Sequence, residues 1–127
     1  LKRFNQYKNA YTYGAYKGGL SRIDYSNYDL FLYTSWFDGM PNTVLEALSL
    51  GIPVISSNVG GIKEIIEEEK TGFLVNDIFN EDAYLNKIEY VIQNKKILND
   101  IRKNALDKLK KQHSWKIYLD KLREIFA

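Results

Sequence analysis

The chain has no cysteine among its 127 residues, and it has only one histidine, one methionine and two prolines. Without cysteine it can form no disulfide framework, no thiolate nucleophile and no cysteine-based zinc site. The histidine, His113, has no acidic partner at ligand spacing, so we expect a junction residue before a helix rather than a metal ligand. No apolar run approaches the roughly 18 residues that are needed to span a bilayer.

The remaining composition is typical of a soluble globular protein. Hydrophobic residues make up 45% of the chain and charged residues 27%, a balance that excludes a disordered chain. The length is that of one domain or of part of one. The start, LKRFNQYKNAY, has neither an initiator Met nor the apolar segment of a signal peptide. We therefore expect a piece of a longer protein.

Charge is unevenly distributed along the chain, although the net charge is only +2. Residues 1–94 contain 8 basic and 12 acidic side chains, whereas residues 95–127 contain 10 basic and 4 acidic ones. A basic stretch of this kind is either a solvated helical face or a surface that contacts anionic lipid at the inner face of a membrane. Both interpretations stay open from the sequence, and no nucleic-acid partner is expected.

Short apolar runs alternate with amphipathic stretches. The runs lie at 28–35, 53–57 and 72–75 and predict strands that are buried on both faces of a parallel sheet. Before them, the sequence predicts a short strand that ends near Gly14 and one helical turn through Ile23. Capping signals and apolar spacing predict helices, from Pro41 to about residue 50, over 62–69, from Asn80 to 93, over 96–111 and after Ser114. The alternation predicts a Rossmann-like, three-layer α/β/α fold with a small parallel sheet.

Apolar residues recur at helical spacing in two of these helices. The helix after Asn80 carries Tyr84, Leu85, Ile88, Val91 and Ile92, and the helix over 96–111 carries Leu98, Ile101, Ala105 and Leu109. Trp36 and Trp115 are expected to serve in core or interdomain packing rather than in stacking against a sugar.

The stretch SWFDGMPNTVLEALSLGIPVISSN, residues 35–58, predicts a ligand site. It joins the end of a buried strand to a helix start, and ligands of α/β proteins collect at such strand ends. The N–H groups and the dipole of the helix start suit a phosphate, and Gly39 permits close approach to the backbone. Asp38 and Glu46 repel phosphate and suit hydroxyls. Together these groups predict a ligand with phosphates in the middle and hydroxyls at both ends, as in a nucleotide sugar.

Each of these features also has a purely structural interpretation. Asp38 can favour the helix dipole, and Glu46 can be the capping-box partner of Thr43. Gly60 and Gly61 either form a strand-to-helix turn or line the ligand cleft.

The same run resembles the E-x7-E segment of retaining GT-B glycosyltransferases of family 4, the group 1 domain. The likeness continues through LEALSLGIPVISSNVGGIKEIIEEEKTGFLV, which resembles the family's L-E-A-x-x-x-G-x-P-V and T-G-x-L-V blocks. HSWKIYLDKLREIF is similar to the family's C-terminal S-W helix. The resemblance covers roughly residues 10–126 and implies the C-terminal, donor-binding domain of a GT-B fold.

The resemblance also assigns roles to single positions. Asp38 aligns with the family's first Glu, which faces the donor sugar, and is therefore the candidate catalytic residue, one methylene shorter. Glu46 aligns with the second Glu, which holds the ribose hydroxyls. The other donor-binding positions that it implies are Gly14 near the base, Gly39, Met40, Pro41 and Asn42 at the sugar, and Thr43, Val44 and Leu45 at the diphosphate.

Parts of the family's enzymes have no counterpart in this chain. The family's Arg and Lys against the diphosphate lie upstream of the E-x7-E run, and residues 1–13 do not match that context. The N-terminal acceptor-binding domain is absent too, so we expect the chain alone to be inactive. The resemblance implies sugar transfer from a nucleoside-diphosphate sugar to a glycan, lipid or small-molecule hydroxyl, in the cytoplasm, with retention and without metal or cofactor.

Two other functions stay open from the sequence. A GT-B nucleotide-sugar epimerase would bind the same donor and need no sugar acceptor. A non-catalytic scaffold module would keep a degenerate donor site, and the Asp at position 38 is the feature that favours it.

Overall fold

The computed structural model describes residues 8–11, 14 and 17–126 of the chain. A three-stranded sheet lies at the centre of this part, with its strands in chain order. The strands are β1 (Phe31–Tyr33), β2 (Val54–Ser57) and β3 (Phe73–Val75). Both pairings are parallel, so the carboxyl ends of all three strands lie along one edge of the sheet.

Five α-helices connect or follow the strands in the described residues. They are α1 (Asn42–Ser49), α2 (Ile62–Ile65), α3 (Glu81–Gln93), α4 (Leu98–Gln112) and α5 (Trp115–Phe126). The described residues also contain two short 3-10 helices, Leu20–Arg22 before β1 and Lys95–Ile97 before α4. The first of these is the helical turn through Ile23 that the sequence predicts.

The sheet separates two hydrophobic cores. Val54 and Ile55 are neighbours on β2 and both are fully buried, yet they belong to different clusters, because successive strand residues point to opposite faces. Val54 packs with side chains of α1, α2 and α4, whereas Ile55 packs with side chains of β3, α3 and α4. This arrangement is the predicted three-layer α/β/α fold.

The two ends of α1 follow from single residues. Pro41 is the N-cap, and no side chain caps the helix start. Gly51 follows the helix with a φ of 72°, a conformation that glycine adopts at little cost. This turn lets the Ile52 N–H donate to the Ala47 carbonyl at 2.9 Å. The predicted stop at Gly51 is confirmed.

The helix predicted over 62–69 is wrong beyond Ile65. Thr71 donates its hydroxyl to the Ile65 carbonyl (3.0 Å) and accepts a hydrogen bond from the Glu67 N–H (2.8 Å). A buried side chain thus satisfies the backbone groups that a longer helix would have used. The acidic run that follows therefore forms a turn, in which Glu69 has a φ of 57°.

The apolar face predicted for α3 is only partly correct. Tyr84 and Val91 are buried, and Ile88 packs beside them. Leu85 and Ile92 are 54% and 56% exposed. Each lies one residue, or about 100° of helix rotation, beyond a buried neighbour, and a surface helix covers its sheet with only one stripe. The face predicted for α4 is confirmed, since Leu98, Ile101 and Ala105 are buried there.

The N-terminal strand predicted to end near Gly14 is not found at residues 8–11 or at Gly14, and the rest of that segment lies outside the described residues. β1 is also shorter than the predicted run at 28–35. Trp36 and Trp115 are 74% and 77% exposed, so neither lies in the core of this chain. In the described part of the chain, no helix is both long and apolar enough to cross a membrane.

Candidate functional site

The loop between β1 and α1 lies at the carboxyl edge of the sheet, and β2 anchors it. The Ser57 hydroxyl donates to the Ser35 carbonyl at 2.7 Å and accepts a hydrogen bond from the Ser35 N–H at 3.1 Å. Ser57 is fully buried at the end of β2. Because β1 ends at Tyr33, this side chain extends the connection between the two strands and fixes the direction in which the loop leaves the sheet.

Asp38 projects from this loop and is held by the last residue of β1. The Tyr33 hydroxyl donates to Asp38 Oδ2 at 2.5 Å, in a partly buried setting. Burial raises the pKa of the Tyr33 hydroxyl, and the hydrogen bond to Asp38 raises that pKa further. The hydroxyl therefore stays protonated at neutral pH and remains a donor. Within residues 17–126 no other hydrogen bond to the Asp38 carboxylate is found, so Oδ1 is open to a ligand.

The turn at Gly60 and Gly61 packs directly on the backbone of the same loop. The Gly61 N–H donates to the Gly39 carbonyl at 2.6 Å. Gly60 has a φ of 53°, and a Cβ there would lie 1.9 Å from the Asp38 carbonyl oxygen. Only glycine fits at this position. The glycine pair is therefore a strand-to-helix turn that supports the Asp38 loop, and because Gly60 is exposed, its lining of the ligand cleft stays a prediction.

The opposite side of the loop is open at Gly39. A Cβ at Gly39 would meet no atom within 4 Å, and the residue is exposed. Met40, in contrast, packs its side chain into the core beneath α1 and against the Gly60–Gly61 turn. A ligand could thus approach the loop along the backbone at Gly39. The Met40 side chain supports the loop, and the predicted contact of the Met40 backbone with a donor sugar stays a prediction.

At the start of α1, two backbone donors have no partner in the part of the chain that the structure describes. The N–H groups of Val44 and Leu45 donate to the Pro41 carbonyl at 3.1 and 3.3 Å. Among the described residues, the N–H groups of Asn42 and Thr43 have no acceptor, because Pro41 offers no side-chain cap. The helix dipole adds a partial positive charge at the same place. The donors free for an anion are therefore those of Asn42 and Thr43 rather than those of Val44 and Leu45.

Glu46 lies one turn into α1 and faces the segment that precedes β1. Its Oε2 accepts a hydrogen bond from the Leu20 N–H at 2.8 Å. Gly19, with a φ of 81°, lies so close that a Cβ there would be 3.0 Å from Oε2 and 3.2 Å from Oε1. The carboxylate borders a small pocket of about 190 Å³ together with Gly18, Ser21 and Ser49.

The capping-box interpretation of Glu46 is wrong. The N-cap is Pro41, not Thr43, and the Glu46 carboxylate bonds a backbone group 26 residues away. Glu46 Oε2 accepts a hydrogen bond from the Leu20 N–H, and in the described residues Oε1 has no hydrogen-bond partner. Glu46 therefore combines a structural contact with a free acceptor.

The two largest of the other clefts among the described residues lie elsewhere in the chain. One of about 330 Å³ lies between α4 and α5 around His113 and Trp115, and an apolar one of about 400 Å³ lies beside Tyr11 and Tyr25. Neither combines a carboxylate with free backbone donors. Gly14 is exposed with a φ of 68° and no neighbour within 4 Å of its Cβ position, so its predicted place near a nucleotide base stays a prediction.

Residues 20–108 match the family model described as "Glycosyl transferases group 1". The chain belongs to this family. One relative is the UDP-Gal:alpha-D-GlcNAc-diphosphoundecaprenol alpha-1,3-galactosyltransferase of Escherichia coli. It is 34% identical to this chain over 100 residues, which are 77% of this chain and 25% of the relative. The family resemblance of the sequence is thereby confirmed.

Solved structures of larger proteins contain the same fold. The chain is similar to sucrose-phosphate synthase from Thermosynechococcus elongatus, with a TM-score of 0.68 and 27% identity over 81% of this chain. It shares the fold of Anabaena HepE, solved in complex with UDP, with a TM-score of 0.71 and 23% identity over 77% of this chain. The chain spans about a quarter of these proteins, 27% of each.

Proposed function

We propose that this chain is the donor-binding part of a retaining glycosyltransferase. The enzyme would transfer a sugar from a nucleoside-diphosphate sugar to a hydroxyl of a glycan or lipid-linked acceptor. The observation that carries the proposal is the order of groups at the start of α1. The Asp38 carboxylate precedes the helix, the free N–H groups of Asn42 and Thr43 begin it, and the Glu46 carboxylate follows one turn later.

Each part of a nucleotide sugar has a matching group in this order. The diphosphate suits the N–H groups of Asn42 and Thr43, because these donors are unpaired and the helix dipole favours an anion. Glu46 Oε1 suits a ribose hydroxyl, since a carboxylate accepts hydrogen bonds and repels phosphate. Asp38 Oδ1 suits a hydroxyl of the donor sugar, which would lie along the open backbone of Gly39.

In the transfer step, negative charge develops on the departing diphosphate. Backbone N–H groups that are fixed before the reaction stabilise this charge without reorganisation. The N–H groups of Asn42 and Thr43 are fixed here because α1 buries Val44, Ala47 and Leu48 in the core, and the hydrogen bonds from Ser57 and Gly61 fix the loop that leads into this helix. We infer that this piece contributes donor positioning and leaving-group stabilisation, while the acceptor and further positive charge come from a domain outside this chain.

The names of the relatives support the choice of nucleotide and acceptor to test first. The Escherichia coli relative is named for UDP-Gal and for a diphosphoundecaprenol acceptor, and the Anabaena structure contains UDP. Retention and independence of metal are proposed from the family resemblance alone. The anomeric configuration of the product, and turnover in the presence of EDTA, test these two points.

The test of donor binding is a thermal-shift screen of the intact protein with UDP, GDP, ADP and CDP. A nucleotide at about 100 times its Kd adds roughly 2.7 kcal/mol of stability, and we expect UDP to do so. Glu46→Gln should lower this stabilisation to about 1.4 kcal/mol or less, the value for tenfold weaker binding at the same UDP concentration, because the amide can still accept from the Leu20 N–H but replaces the second acceptor oxygen by a donor. Glu89→Gln, an exposed carboxylate on α3, is the matched control and should keep the shift.

Either of two results would overturn the proposal: no nucleotide stabilises the parent, or Glu46→Gln responds to UDP as the parent does. The first would leave the scaffold function, with a degenerate site. Product analysis distinguishes transfer from epimerisation, because transfer releases free nucleoside diphosphate and forms a glycoside, whereas an epimerase yields an isomerised nucleotide sugar.

We also propose peripheral contact of the basic C-terminal helices with the anionic inner face of the cytoplasmic membrane. Lys110, Lys111, Lys116, Lys121 and Arg123 are exposed on α4 and α5. Lys108 does not belong to this group, since its side chain is largely buried and its ammonium pairs with Glu67 at 2.8 Å. Co-sedimentation with anionic vesicles tests the contact, and binding that salt does not weaken, or no binding at all, contradicts it.

A further inference from the structure

Tyr33 is the one side chain of the described residues that hydrogen-bonds the Asp38 carboxylate. We propose that Tyr33 is a positioning residue for Asp38, holding the carboxylate through Oδ2 so that Oδ1 faces the donor sugar. The inference rests on the proposed function, because it assumes that the donor sugar lies beside Asp38.

The other contacts of the loop fix its backbone but not this side chain. Ser57 holds the backbone at Ser35, and Gly61 holds it at Gly39. Between these two points the Asp38 side chain still has two free torsions. The hydrogen bond from Tyr33 removes that freedom, and its donor is placed on a strand that pairs with β2. A short side chain on a loop thus takes its orientation from a rigid strand, as a well-defined site requires.

The chemical nature of the partner matters as much as its position. A lysine or arginine in the same place would neutralise the carboxylate, whereas a neutral hydroxyl leaves its charge intact. Glycosyl transfer passes through a state with positive charge on the sugar ring, which a nearby carboxylate stabilises. The raised pKa of Tyr33 keeps the hydroxyl protonated, so it orients Asp38 without competing for its proton.

A double-mutant cycle in the intact enzyme, with UDP-sugar as donor, tests this role. Tyr33→Phe keeps the ring and removes only the hydroxyl. We expect kcat to fall about tenfold or more, the size of one lost hydrogen bond to a charged group, while KM for the donor changes by less than about threefold, because Glu46 and the α1 start still hold the nucleotide. Asp38→Asn should lower kcat further. The double variant should match Asp38→Asn alone, because Tyr33 acts only through Asp38.

Tyr84→Phe is the matched control. It also removes a tyrosine hydroxyl that donates a hydrogen bond, in this case to the Ile78 carbonyl at 3.2 Å. We expect its kcat to equal that of the parent. If Tyr84→Phe lowers kcat as Tyr33→Phe does, the loss is a general effect on the fold and the inference is overturned.

Two further outcomes would overturn the inference while leaving the proposed function intact. Either Tyr33→Phe turns over like the parent, or its effect multiplies with that of Asp38→Asn. Failure of the proposed function looks different, because the parent itself then neither transfers sugar nor gains stability with UDP, and the inference fails with it.

Discussion

A single methyl group at Gly60 should disable the site without entering it. Gly60→Ala places a Cβ 1.9 Å from the Asp38 carbonyl oxygen and 2.6 Å from that of Gly39. Real Cβ atoms do not approach other atoms more closely than 3.0 Å. The Asp38 carbonyl or the turn must therefore shift by about 1 Å, since steric repulsion forbids the overlap. Whichever side moves, the hydrogen bond from the Gly61 N–H to the Gly39 carbonyl is lost.

A displacement of about 1 Å in a positioning loop can reduce turnover about 100-fold. We therefore expect kcat/KM of Gly60→Ala to fall by about two orders of magnitude in the intact enzyme. The variant should lose more than about 1–2 kcal/mol of stability, because alanine is strained at the φ of 53° and the clash and the lost hydrogen bond add to that cost. The assay is initial-rate transfer from UDP-sugar, at a temperature well below the unfolding midpoint of the variant.

Gly51→Ala separates the two effects. Gly51 also has a positive φ, 72°, but a Cβ there would meet only Leu106 Cδ1 at 3.9 Å. This control should lose about 1–2 kcal/mol of stability through the backbone strain alone and keep its turnover. Equal turnover of Gly60→Ala and Gly51→Ala would refute the idea that the Gly60–Gly61 turn supports the Asp38 loop.

The structure makes three further predictions. Gly39→Ala should leave the unfolding temperature unchanged or slightly raised, because the new Cβ meets no other atom and alanine reduces the entropy of the unfolded chain. The same substitution should raise the KM for the donor about tenfold or more, and an unchanged KM would contradict the approach of the donor along this backbone. Hydrogen bonds from Lys108 and Lys70 lower the pKa of the Glu67 carboxyl to about 2, so the contribution of these ion pairs to stability is present above pH 4.5 and is lost as pH falls towards 2. The difference in unfolding temperature between the parent and Glu67→Gln should disappear over that range. A pH-independent difference would refute the ion pairs as its cause. Thr71→Val should lower the free energy of unfolding, measured with denaturant, by about 1–3 kcal/mol, because the Ile65 carbonyl and the Glu67 N–H both lose their hydrogen-bond partner. An unchanged denaturation midpoint would show that neither hydrogen bond contributes to stability.

The arrangement of the sheet could be predicted from the sequence because its signals are local. Apolar runs, Pro41 before α1 and Gly51 after it act within a few residues of themselves. The same holds for Asp38 and Glu46, whose relation to the helix start follows from their spacing. The end of α2 could not be predicted in this way, since Thr71 intervenes from six residues beyond Ile65 through a side-chain hydrogen bond.

The partners of the site residues were missed because they are set by tertiary contacts. Glu46 pairs with the Leu20 N–H, and no local pattern connects positions 26 residues apart. In the sequence, Tyr33 resembles the other apolar residues of a buried strand. Asp38 reaches the Tyr33 hydroxyl only because of the path that the loop between β1 and α1 takes. The Gly18–Gly19 pair was a usable signal, because adjacent glycines mark a backbone that passes close to another group.

The most direct test of the account is calorimetric titration of the intact protein, Glu46→Gln and Asp38→Asn with UDP and with UDP-sugar. Glu46→Gln should bind UDP at least about tenfold more weakly than the parent, the size of one lost hydrogen bond to a charged group. Asp38→Asn should bind UDP like the parent but lose the additional affinity that the sugar provides. If both variants bind UDP and UDP-sugar as the parent does, the two carboxylates at the start of α1 do not hold a nucleotide sugar, and the account is contradicted.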